Sequence, residues 1–196
     1  MPKELYLMRN AETLFDIHHK MQGWCDSPIT EQGIRQAHAA GRMLRERGFK
    51  PDYAICSTSE RCADTIEIVL AEACGEPLPY ERDRRLREHG YGAYEGQDGF
   101  LMPPAPYAGF FADSGGETER QVVDRMGDAL TQAMERPDVS RVLAVSSPHS
   151  SLLFLHDCSS HGGVAAVDGD EGCMVWRYEY EDGEFLATEI LLPSGH

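Results

Sequence analysis

The sequence predicts an α/β fold, a mainly parallel sheet flanked by helices with a terminal β-hairpin. Three observations carry that expectation. Strand-like and helix-like patterns alternate repeatedly along the chain. The run "RVLAVSS" at 141–147 is apolar almost without interruption, as strands buried on both faces are. And "CMVWRYEYEDGEFLATEIL" at 173–191 alternates around Asp182-Gly183, the strongest hairpin signal in the chain.

The elements follow in order. Residues 4–8 (ELYLM) read as a short strand. Thr30 suits a helix N-cap, and Ile34, Ala37, Ala40, Gly41 and Leu44 recur at helical spacing, so a helix runs from about 31 to 47 and closes at Gly48. "PDYAICS" at 51–57 is a second strand. "SERCADTIEIVLAEACG" is a second helix, apolar at Ala63, Ile66, Val69, Leu70 and Ala73 and ended by Gly75. Residues 76–114 are rich in Pro, Gly and aromatics and weakly periodic, an excursion over the sheet with short helices. A third helix follows the glycine pair 115–116 and stops before Pro137. After the strand at 141–147, "HSSLLFLHDC" reads as a helix. No repeat or low-complexity linker interrupts 1–196, so one domain is expected.

Composition narrows the function classes. With 41% hydrophobic and 26% charged residues the chain is ordinary for a soluble domain. The formal net charge of −15, from 33 acidic against 18 basic residues, leaves no basic stripe for nucleic acid. No apolar run spans a bilayer, and "MPKELYLM" carries no cleavable signal pattern, so a cytoplasmic protein without a membrane partner is expected. Six cysteines (25, 56, 62, 74, 158 and 173) form no Cys-x-x-Cys pair and read as free thiols, not as zinc ligands. His18-His19 is a loop pair without matching metal partners, so no metal is expected.

In parallel α/β folds, ligands sit beyond the carboxyl ends of the strands. Three loops qualify, after Met8, Cys56 and Val145. They bring Arg9 and Asn10, Ser57 through Arg61, and Ser146 through His149 together, a pocket of two arginines, hydroxyls and one histidine. The stretch "LYLMRNAETLFD" poses the main question, since its arginine suits an anion while Asn10 beside it can neither attack nor shuttle protons.

Six segments in order resemble the histidine phosphatase superfamily, the group of phosphoglycerate mutases and related phosphatases. They are "MRNAET", "QGWCDSPITEQGIRQA" at 22–37, "CSTSERCADT", "LREHGYGAYEG" at 86–96, "GGET" at 115–118 and "VLAVSSPHSSLLFL". The resemblance implies a histidine nucleophile that takes up the phosphoryl group and so splits transfer into two displacements. It further implies two arginines and a second histidine around the transferring oxygens, an acid that protonates the leaving group, and no metal or cofactor.

Carried over residue by residue, the resemblance assigns the two arginines to Arg9 and Arg61 and the acid to Glu88, with Ser57 and Thr65 in the second motif's framework. Asn10 stands in the nucleophile's place. Ser147, followed by Pro148, stands in the second histidine's place, and Asp16 stands where an asparagine is usual. Drift toward a non-catalytic member explains these changes together more simply than one engineered exchange. Asn10 still donates through its amide, whereas Ser147 has no cationic form. If Asp16 faces the pocket, its charge about 4 Å from a phosphate opposes binding by roughly 4 kcal/mol before screening.

Three functions are open on this sequence. One is a non-catalytic member that holds a phosphorylated small molecule or a partner protein. A second is a phosphomonoesterase in which His149, or the thiol of Cys25, replaces the nucleophile. A third is a structural partner without a ligand. The position of the His149 ring discriminates the first two. His89 beside Glu88, and Trp24 and Tyr94 at the mouth, are expected as pocket walls or packing.

Overall fold

The computed structural model describes residues 2–76, 78–159 and 171–193. Six strands form one sheet: β1 (Lys3–Arg9), β2 (Tyr53–Ser57), β3 (Glu81–Asp83), β4 (Arg141–Ser146), β5 (Val175–Glu181) and β6 (Glu184–Leu191), in the order β3-β2-β4-β1-β5-β6. The first four in that order are mutually parallel. β5 runs antiparallel to β1 and pairs with β6 through a hairpin turn with Asp182 and Gly183 both at positive φ, 53° and 88°. A tight two-residue turn needs that left-handed backbone at both positions, which the Asp-Gly pair tolerates. The expected α/β class and terminal hairpin are therefore present.

Strand alternation sorts the core into two layers. Leu5 and Leu7 of β1, with Val142 and Ala144 of β4, face α4 (Glu119–Met134) and α5 (Pro148–Ser159). Tyr6 and Met8, with Leu143 and Val145, face α2 (Glu31–Glu46) and α3 (Glu60–Cys74). β1 and β4 thus bury both faces, as the unbroken apolar run of 141–147 predicts. Ile34 departs from its expected inward position and is exposed, because α2 presents its small residues, Ala37, Ala40 and Gly41, to the interior. A Cβ at Gly41 would meet the Glu72 side chain and the Val69 carbonyl of α3, so the close approach of the two helices needs glycine there.

Two elements escape the sequence reading. The turn after β1 contains a helix, α1 (Leu14–Ile17), closed by a reciprocal cap between Thr13 and Asp16. Within 76–114 the chain adds β3 to the sheet edge and then makes four short 3₁₀ turns, at Arg84–Leu86, Gly92–Tyr94, Gly99–Leu101 and Ala112–Ser114. Met21, Tyr91 and Phe111 form a small satellite core under these loops, beside the carboxyl ends of the strands. All six cysteines are free. Among the described residues no helix is long and apolar enough to cross a membrane.

Candidate active-site cavity

A cavity of about 510 Å³ opens beyond the carboxyl ends of β1 and β4. Five residues singled out in the sequence line it: Asn10, Asp16, Arg61, Glu88 and His149. The rest of its wall is largely apolar or aromatic, with Phe15, Met21, Tyr91, Met102, Tyr107 and Leu152, and includes His19 and Lys20. Arg9, Cys25, Ser57 and Ser147 are not part of this wall.

Asn10 follows β1 directly, its backbone N–H donating to Ser146 O at 2.9 Å. The residue is 3% exposed. Its Nδ2 donates to the Ala11 carbonyl at 2.8 Å, which fixes the amide, since the flipped form would set oxygen against oxygen. Oδ1 is buried and has no hydrogen-bond partner. The group that Asn10 keeps in reserve is therefore an acceptor, where the sequence alone suggested a donor.

Arg61 sits at the start of α3, and both of its terminal nitrogens are committed to protein atoms. Nη1 donates to Cys25 O and Asp26 Oδ1, both at 3.0 Å. Nη2 donates to Gly23 O at 2.9 Å, to Ser147 Oγ at 3.0 Å and to Gln22 O at 3.4 Å. The loop 22–26 is thus wrapped around the guanidinium. The same loop turns its own N–H groups the other way, with Gly23, Trp24 and Cys25 all donating to the Glu95 carboxylate. Arg9 is buried, with Nη2 3.6 Å from Asp16 Oδ1. Asp16 Oδ2 is held by the Thr13 N–H and hydroxyl, both at 2.7 Å.

Glu88 is 2% exposed yet richly satisfied. Oε1 accepts from the Ser150 N–H, the Ser150 hydroxyl and the His89 N–H, each at 2.7 Å, and Oε2 accepts from the His149 N–H at 2.9 Å. The carboxylate therefore caps the first turn of α5, where helix N–H groups lack intrahelical partners. Burial alone would push the carboxyl up, but the His149 ring and these hydrogen bonds outweigh it and hold it below the ordinary range.

His149 is the second residue of α5. Its ring lies stacked on His89, 5.5 Å between centroids at 12°, and 4.7 Å from Tyr107. Burial, reinforced by the neighbouring His89, holds the imidazole below its usual value against the pull of Glu88 and Glu119. Its Nε2 is buried and 3.9 Å from Glu119. The ring is largely buried against His89 and Tyr107 and does not face solvent. Cys25 is half-buried, and burial followed by its hydrogen bond to Glu95 pushes the thiol up to about 12. That is the opposite of the lowered value a nucleophilic thiol requires. Ser57 is buried at the end of β2, accepting from the Ser59 N–H and hydroxyl.

The profile of the histidine phosphatase superfamily (branch 1) matches residues 5–185. The chain belongs to this superfamily. It is similar to the probable phosphoglycerate mutase GpmB of Yersinia pestis (strain Pestoides F), at 34% identity over 97% of this chain and 91% of the relative. Among solved structures it resembles a phosphoglycerate mutase from Bacillus anthracis str. Sterne, with a TM-score of 0.82 at 21% identity, covering 95% of this chain and 92% of that one. It also resembles Bacillus stearothermophilus YhfR, with a TM-score of 0.79 at 28% identity and 94% of both chains covered.

Within this superfamily member, several wall residues carry no signal in the sequence analysis. Phe15 comes from the short helix α1, and Met21, Met102 and Tyr107 from loops without periodicity; only Tyr107 had a signal, the aromatic richness of 76–114. Asp26 and Glu95 lie inside the matched segments 22–37 and 86–96, but that the first pairs with Arg61 and the second accepts from the loop 22–26 is visible only once the loop is folded. Trp24 is half-exposed, its Nε1 donating to Glu88 O at 3.1 Å and its ring beneath the Arg87 guanidinium at 5.5 Å. Among the described residues no group of three or more His, Cys, Asp or Glu side chains could hold a metal ion.

Proposed function

We propose that this chain is a non-hydrolysing member of the histidine phosphatase superfamily, a binding protein built on the pocket of a phosphomonoesterase. The single observation that carries the reading is Asn10 at the end of β1, the position the family motif gives to the nucleophilic histidine. An amide nitrogen has no lone pair available for attack on phosphorus, and here that nitrogen already donates to Ala11 O.

The rest of the site is consistent with that. Ser147, in the second histidine's place, offers a hydroxyl that accepts from Arg61 and brings no cationic form. Glu88 is held as a carboxylate and caps α5, the wrong protonation state for donating to a leaving oxygen at neutral pH. The two substitutes weighed from sequence are also disfavoured. The Cys25 thiol is pushed up to about 12, and the His149 ring is packed between His89 and Tyr107. The relatives' names, phosphoglycerate mutase among them, describe the scaffold from which such a binder would descend.

The test is hydrolysis of an aryl phosphate by the purified protein, beside a variant carrying Asn10→His and Ser147→His. No turnover by the natural chain is expected. Release of phosphate by it, abolished by His149→Ala, would overturn the reading in favour of a rearranged phosphomonoesterase.

A further inference from the structure

One stripe of α5 runs along the active-site cavity and on past it. His149, Leu152, Leu153 and His156 stand at i, i+3, i+4 and i+7, positions that share a face of an α-helix. The core takes the other side, where Ser150, Ser151, Phe154 and Leu155 are buried. Leu152 and Leu153 are only half-buried, so the stripe keeps apolar surface uncovered. His149 and Leu152 belong to the wall of the active-site cavity. The same two residues, with Leu153 and His156, line a second cavity of about 580 Å³. The two spaces therefore share a floor, and from 149 to 156 it extends about 10 Å along the helix.

The remaining lining of the second cavity comes from Ala105 and Pro106, both exposed in the loop before Tyr107, and from Glu119 at the start of α4. This loop is fixed to α4, since the Tyr107 N–H donates to Glu119 Oε1 at 2.8 Å. The Tyr107 ring packs in turn against His149, 4.7 Å between centroids. Apolar lining thus continues from Phe15, Tyr91 and Tyr107 of the first cavity, across Leu152, to Leu153, Ala105 and Pro106 of the second. Water gains little there, whereas an apolar group covers surface that the fold leaves open. A ligand seated in the first cavity reaches this surface without leaving the face of α5.

We propose that the second cavity is a subsite for the far end of an extended aromatic phosphomonoester whose near end occupies the first. This deepens the binding reading above and rests on it. The length of the shared floor leaves room for two aromatic rings in line, the second beside Leu153 and Ala105.

The test compares two esters that differ by one ring. The purified protein is titrated with phenyl phosphate and with para-biphenylyl phosphate by calorimetry, with free phosphate assayed in both arms. The esters carry the same phosphate, so the ratio of their affinities reads the body alone. The biphenylyl ester is expected to bind about tenfold tighter, the scale of burying one further ring. Leu153→Asn and Ala105→Asp should each reduce that preference to about threefold or less, with unchanged far-UV circular dichroism. Ala105 is exposed, so its variant decides the matter if Leu153→Asn does not fold. Equal or weaker binding of the biphenylyl ester, or an undiminished preference in the folded Ala105→Asp protein, overturns the proposal. Release of phosphate overturns the binding reading instead. The preference is then read from kcat/KM for the two esters, where a ratio near one overturns the subsite as well, so the two failures are distinguishable.

Discussion

Arg61 Nη2 donates to Ser147 Oγ across 3.0 Å, joining the start of α3 to the residue that follows β4. Both side chains are buried, so this bond belongs to the framework around the cavity and is not available to a ligand. Ser147→Ala should cost about 1 kcal/mol in urea unfolding, the net worth of one ordinary hydrogen bond. Arg61→Ala should cost about 3 kcal/mol or more, because the carbonyls of Gly23 and Cys25 lose their donor and Asp26 its counter-ion.

Glu88 ties the loop after β3 to the first turn of α5, and its charge is part of that tie. Its folded value lies below the ordinary one, so on acidification the unfolded chain takes up this proton first. The stabilisation is complete above the unfolded value of about 4.3 and is lost as pH falls through the folded value. Glu88→Gln should lower stability at neutral pH by about 3 kcal/mol, since an amide offers one acceptor to four donors. Stability of the variant should also depend less on pH below that value, read from urea midpoints in an acid series.

His149 contributes at a higher pH. Burial lowers its folded value, so the unfolded chain binds the proton first once pH drops below about 6.5, and stability falls from there. His149→Phe keeps the stacking on His89 and Tyr107 and removes the titration. Its urea midpoint should change less between about pH 6.5 and about pH 5 than that of the natural chain.

Cys25, in the loop wrapped around Arg61, should react slowly. With the thiol pushed up to about 12, its thiolate fraction at pH 8 is on the order of a thousandfold below that of an ordinary cysteine. Iodoacetamide labelling followed by peptide mass spectrometry should find Cys25 largely unmodified while free glutathione in the same tube is consumed. Fast labelling of Cys25 would restore it as a candidate nucleophile.

The longer elements were legible because they repeat a pattern over several turns or strand positions. α3 shows Ala63, Ile66, Val69, Leu70 and Ala73 at helical spacing, and all five are buried. α1, four residues long, and β3, three residues long, are shorter than the period needed to recognise them. The site divides in the same way. Asn10, Arg61 and His149 lie at or just beyond strand ends, where the topology of a parallel sheet gathers side chains. Tyr91, Met102 and Tyr107 reach the same cavity from irregular backbone, whose path follows from packing around Phe111 and not from any local repeat.

By itself the sequence determined which chemical groups exist near the strand ends, an amide at 10, a hydroxyl at 147 and carboxyls at 16 and 88. Those are covalent facts. The tertiary structure decided what each group is free to do. Only with the loop 22–26 folded over α3 are the Arg61 nitrogens committed. Only with α5 set against the loop after β3 is Glu88 a capped carboxylate. Hydrogen-bond commitment and charge state depend on neighbours a few ångströms away, and here those neighbours come from as far as 86 positions along the chain, the separation of Arg61 from Ser147.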